Sequence, residues 1–116
     1  MKPEAFLPLS KATLYILLAL AAEDRHGYAI MQEVIRRSGG QYRLGPGTLY
    51  DNLQKLVNQG LIAETSARSM GDDPRRRYYR LTRPGRRVLA AEIARMEAVV
   101  REARRHLPAT SPGRAI

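Results

Sequence analysis

Apolar positions recur with helical spacing over most of this chain and alternate like a strand only between its third and last helical patterns. From Ala12 to Ala22 every position except Thr13 is apolar. That run predicts a helix buried on nearly all sides, with Ser10 as its N-cap. Its eleven residues fall well short of the roughly 20 that a bilayer span needs. "EDRHG" breaks it, and a second helix is predicted from Tyr28 to Arg37, with Ile30, Met31, Val34 and Ile35 inward and "SGG" at its end. "QYRL", residues 41–44, reads as an extended link able to pair as an edge strand. In "GPGTLYDNLQKLVNQGLI", Gly45 to Ile62, the residues Leu49, Leu53, Leu56 and Val57 fall on one helical face. This third helix is predicted to stop at Gly60.

Beyond Leu61 the period changes. "LIAETSARS" and "RRRYYRLT", joined by the turn-rich "MGDDP", predict two short antiparallel strands. Alternation sets Arg77, Tyr79 and Leu81 on one side and Arg76, Tyr78 and Arg80 on the other. Tyr79 and Leu81 are expected inward; Arg76, Tyr78 and Arg80 are expected outward. Thr82 is the expected cap of a final helix that tolerates Pro84 in its first turn. Its apolar stripe, Leu89, Ile93, Met96, Val100, Ala103 and Leu107, keeps a heptad rhythm for little more than two heptads.

This order predicts a mainly α fold with a small β-hairpin, a winged helix-turn-helix followed by a C-terminal dimerisation helix. The expected boundaries are 9–82 for the winged helix, 83–107 for the last helix, and flexible tails at 1–8 and 108–116. In such a fold the third helix enters the DNA major groove and the hairpin lies beside it along the backbone.

Charge sharpens that expectation. The 116 residues carry a net charge of +9, with seventeen arginines against only three lysines. Seven of the arginines lie among the thirteen residues from Arg75 to Arg87, where there is no acid. A polyanionic partner is implied, with nucleic acid ahead of a membrane surface. Expected duplex contacts are Gly47, Thr48, Tyr50, Asp51, Gln54 and Lys55 on the third helix. Gly47 belongs to a tight turn that lets the helix N-terminus approach phosphate, and Asp51 can accept from a cytosine amine or orient Lys55. On the wing the expected contacts are Arg75, Arg76, Arg77, Tyr78 and Arg80. An arginine-rich genome and a plain amphipathic helix would account for the same residues, so a protein-interaction or effector-sensing module stays open as the alternative.

Other chemistry finds little footing. The absence of Cys excludes disulfides and suits a reducing cytosol. His26 and His106 lie far apart, "GPGT" lacks the Lys of a phosphate-binding loop, and no Ser has a triad-like setting. No metal, cofactor or enzymatic activity is expected, and no membrane partner. The last helix is expected to form a two-fold dimer. Leu89, Ile93, Met96, Val100 and Leu107 would be buried against Leu14, Leu17 and Leu18 of the first helix of a second copy. A stripe folded back onto the chain's own first helix is the alternative. A dimer would demand a near-palindromic site, and a small-molecule effector wedged at the interface could reset its spacing.

"LSKATLYILLAL", "HGYAIMQEV", "GTLYDNLQKLVNQGLI" and "RRRYYRLTRPGRRVL" together resemble the PadR-like transcriptional regulators over roughly residues 9–107. The specific elements are His26-Gly27-Tyr28, Gly47-Thr48-Leu49-Tyr50, Gly60-Leu61-Ile62, Tyr79-Arg80-Leu81-Thr82 and Gly85. The resemblance implies a bacterial or archaeal cytoplasmic dimer, usually a repressor, whose last helix packs on its partner. The single C-terminal helix resembles the short subgroup. Some relatives hold planar aromatic molecules between interfacial tryptophans; this chain has no Trp, which puts that ligand mode in doubt.

Overall fold

The Ser10 hydroxyl accepts the Thr13 N–H at 3.1 Å, and from this cap α1 runs over Lys11–Ala21. The computed structural model describes residues 2–65 and 76–107. After α1 come β1 (Arg25–His26), α2 (Gly27–Arg37), α3 (Pro46–Asn58), β2 (Ile62–Thr65), β3 (Tyr78–Leu81) and α4 (Arg83–His106). Each helix starts on a side chain or turn suited to the task. The His26 ring accepts the Ala29 N–H, Pro46 occupies the first turn of α3, and Thr82 Oγ1 accepts the Gly85 N–H at 3.1 Å. Past α3, Gly60 takes φ +77°, the left-handed residue with which helices commonly close.

The sheet is three-stranded and antiparallel in the order β1-β3-β2. Ile62 pairs with Leu81 and Thr65 with Tyr78 on one edge of β3; Arg25 pairs with Tyr79 and His26 with Tyr78 on the other. The short strand therefore comes from the α1–α2 link. Residues 41–44, read as an extended link able to pair, form no strand. Making β3 central also corrects the expectation for Tyr78. It is buried, as is Tyr79, because β1 covers it and the His26 ring meets it edge-on, 5.3 Å between centroids.

The core gathers Ile16, Leu17 and Leu20 of α1 with Ile30, Val34, Leu49, Leu53, Leu56, Leu61, Ile62 and Val88. Leu17, expected at a dimer interface, is 0% exposed within its own chain, and Leu89 is 8% exposed. Both are spent inside the protomer, because α1 is central to the domain and the first turns of α4 pack back on it. Leu14 and Leu18 are half-buried. The first residues, expected as a flexible tail, form a 3₁₀ turn at Pro3–Phe6 that packs on α4. Glu92 secures this arm. Its buried carboxylate accepts the Leu9 N–H at 2.8 Å and the Arg95 Nε–H. Residues 108–116, the other expected tail, lie outside the described residues. Among the described residues, no helix is long and apolar enough to cross a membrane.

Candidate nucleic-acid interface

Leu49, Leu53 and Leu56 pin one face of α3 into the core, which turns the opposite face to solvent. Gly47, Thr48, Tyr50, Asp51, Gln54 and Lys55 are all exposed. Asn52 braces the helix by donating to the Thr48 carbonyl at 2.8 Å, and its Oδ1 meets the Thr13 hydroxyl at 3.5 Å. Gln54 donates to Asn58 Oδ1 at 3.1 Å, an exposed bond that a base edge could replace. The Tyr50 ring leaves the first turns of α3 and reaches over Gly27 at the start of α2.

The wing strand lies next to this face. Arg76, Arg77 and Arg80 are exposed, while Tyr78, sought here as a contact, is withdrawn into the sheet. Arg75 and the expected hairpin tip lie outside the described residues. Arg76 Nη1 sits 2.9 Å from His26 Nε2, and Arg77 Nη1 sits 3.5 Å from Glu64. Among the described residues, neither Lys55 nor Arg80 is held by an ion pair. Burial, seconded by the Glu64 charge, pushes the Tyr79 phenol above its ordinary pKa, which keeps it neutral inside the sheet.

Other arginines are internal fittings. Arg25 Nε donates to the Ala19 carbonyl at 2.7 Å, and its Nη2 lies 3.7 Å from Glu33. Glu33 is buried and also receives Arg36 and Arg37. The Arg36 hydrogen bond, with Arg25 and Arg37 behind it, holds the Glu33 carboxyl below the usual range despite burial.

His26, Gly27, Tyr28, Tyr50, Arg76 and Arg77 line a cavity of about 330 Å³ between β1, the start of α2, α3 and the residues that lead into β3. His26 and Tyr28 are not among the contacts expected from the sequence. Their clustering with Arg76 arises only when β1 pairs with β3.

A second feature lies away from this face. Beyond Glu92, α4 leaves the domain and carries an uncovered apolar stripe: Ile93, Met96, Val99, Val100 and Leu107 are 37%, 38%, 56%, 48% and 65% exposed. Ile93, Met96 and Val100 floor a groove of about 520 Å³ that Glu97, Arg101 and Arg104 rim.

The sequence pattern described as "Transcriptional regulator PadR-like family" matches residues 16–91. The chain is 37% identical to the transcriptional regulator Rv3488 of Mycobacterium tuberculosis over 89 residues, 77% of this chain and 78% of that protein. A PadR family transcription regulator from Clostridium difficile R20291 shares the fold. Its TM-score is 0.72 at 24% identity, over 85% of this chain and 100% of that one. RosR of H. salinarum superposes with a TM-score of 0.62 at 27% identity, over 88% and 99% of the two chains.

Proposed function

This chain belongs to the PadR-like family of transcriptional regulators, and from that premise we propose that it is a cytoplasmic homodimer that reads near-palindromic duplex DNA and represses transcription until a small molecule releases it. One observation carries the reading. Tyr50, on the exposed polar face of α3, shares one cavity with the exposed Arg76 and Arg77, and Arg80 is exposed on the adjoining strand β3. Amide, hydroxyl and phenol groups suited to base edges thus adjoin cations suited to phosphate. The acids Glu33 and Glu92 are engaged by arginines of their own surroundings, which leaves the exposed Arg76, Arg77 and Arg80 unopposed by them.

The distal stripe of α4 supports self-association. A second copy, two-fold related, would cover Ile93, Met96, Val100 and Leu107 without disturbing either protomer's core. An effector would act wedged between the two copies at the groove that this stripe floors, where it would alter the distance between the two α3 helices. The family's members are transcriptional regulators and not enzymes.

Selection of duplexes from a random pool, followed by affinity measurement, tests the reading. The selected duplex should be a near-palindrome bound at least about 10³-fold more tightly than random sequence. Equal affinity for selected and random duplexes would remove the sequence-specific role.

A further inference from the structure

Glu92 stands where α4 parts from its own domain. It is 1% exposed, whereas every residue from Ile93 to Leu107 is exposed. Gly85, Val88 and Leu89 seat the first turns of α4, and Glu92 is its last buried residue. The carboxylate is tied from two sides. Its Oε2 accepts the Leu9 N–H at 2.8 Å, and its Oε1 accepts the Nε–H of Arg95, one turn further along α4. Leu9 directly precedes Ser10, the N-cap of α1, and α1 sends Ile16, Leu17 and Leu20 into the core. A single bond thus ties the root of the free half of α4 to the start of the central helix, across 83 positions of sequence. Burying a carboxylate is costly where an apolar side chain would fill the same space. What the carboxylate adds is direction, since a charge-assisted hydrogen bond holds donor and acceptor in one geometry.

We propose that Glu92 is a positioning residue for operator recognition. Its bond to Leu9 fixes the angle at which α4 leaves the body that carries α3, and so fixes the half-site spacing that a dimer accepts. The inference rests on the dimeric DNA-binding reading above and names the residue that sets the distance between the two α3 helices. Being buried, Glu92 acts through α4 and not by touching DNA. From Glu92 to His106 the helix extends roughly 21 Å, at about 1.5 Å per residue. A pivot of about 10° at Glu92 would move the far end relative to α3 by roughly 4 Å, close to the rise of about 3.4 Å between base pairs. With the joint held, a site of the wrong spacing binds only if the duplex itself twists or bends. With the joint slack, the protein follows the site.

The test measures binding of the full chain to a selected site whose half-sites are moved apart or together by one base pair. Glu92→Met fills the buried space but offers no acceptor to Leu9. Glu92→Gln keeps an amide oxygen that can accept the same N–H. The wild type should prefer the selected spacing by about tenfold or more. That preference should shrink at least about threefold in Glu92→Met and survive in Glu92→Gln, while affinity for a duplex with one half-site stays unchanged. If Glu92→Met does not fold, Arg95→Ala removes one tie at an exposed position and should relax the spacing preference in the same sense, by less. A merely structural role would weaken binding to every duplex by one factor and leave the spacing preference intact. That result, beside a dimeric and spacing-selective wild type, would overturn the positioning role and leave the dimer reading standing. A wild type that binds as one chain, with no preference for spacing, would defeat the dimer reading and the positioning role with it.

Discussion

The Tyr50 phenol rests on the α-carbon of Gly27, so close that a Cβ on Gly27 would stand 2.9 Å from Tyr50 Cζ and closer still to the hydroxyl. Gly27 has no positive φ, so this packing against Tyr50 is what calls for glycine there. Tyr50 is half exposed and its ring can swing away. Gly27→Ala should therefore leave the melting temperature nearly unchanged, helped by the better helix propensity of Ala. Its cost should fall on DNA affinity, by roughly 1 kcal/mol if Tyr50 loses a hydrogen bond. Full affinity in this variant would show that the position of Tyr50 is immaterial to binding.

Gly85 presents the opposite case. A Cβ there would strike the Leu61 backbone carbonyl and lie 2.7 Å from Leu81 Cδ1. The carbonyl cannot swing aside, because it also accepts the Thr82 N–H at 3.1 Å. Gly85→Ala should cost about 1–3 kcal/mol of stability as α4 is levered off the sheet. Urea denaturation of the variant beside the wild type measures it, and an unchanged midpoint would contradict the close packing.

Gln54 and Arg80 separate sequence reading from positioning. Gln54→Ala should cost about 1–3 kcal/mol on the selected duplex and almost nothing on random sequence. Arg80→Ala should weaken both alike and flatten the slope of log affinity against log salt by about 0.9. Equal losses on both duplexes for Gln54→Ala would remove it as a base reader. An unchanged salt slope for Arg80→Ala would take Arg80 out of the footprint.

Acid should loosen the N-terminal arm. The Arg95 hydrogen bond and the Leu9 N–H outweigh burial and hold the Glu92 carboxyl below its ordinary value of 4.5. A carboxylate depressed in the folded state contributes stability above the unfolded value. That contribution is lost as pH falls from about 4.5 through the lower folded pKa. Melting followed from pH 7 to pH 3 should therefore fall less steeply in Glu92→Gln than in the wild type. Parallel curves would mean that Glu92 contributes nothing to acid sensitivity.

Features set by neighbours in sequence were legible. Ser10, Thr82 and Gly60 occupy their expected positions because a cap depends only on the few residues around it. The three core leucines of α3 followed from periodicity in the same way. What escaped depends on pairing across long separations. Arg25–His26 is too short a strand to leave any alternation, yet it is what makes β3 central and buries Tyr78. The His26–Arg76 contact joins residues 50 positions apart. An apolar stripe likewise does not state whose surface covers it. Leu89 and Ile93 read alike in sequence, but the first is buried in the protomer and the second stands at 37% exposure. Glu92 lies seven residues past Gly85 within the last helical run, and nothing around it in sequence announces the arm whose Leu9 N–H it accepts.

Two copies joined along the distal half of α4 would present paired α3 helices to one duplex. Sedimentation of the protein with a selected duplex tests it most directly, with Met96→Arg as the disrupting variant at a position 38% exposed in the single chain. A wild-type dimer at micromolar concentration is expected, with two chains per duplex and half-sites about 34–36 Å apart. Met96→Arg should sediment as a folded monomer that binds the same duplex weakly. A wild-type monomer that binds the near-palindrome tightly, one chain per duplex, would contradict it.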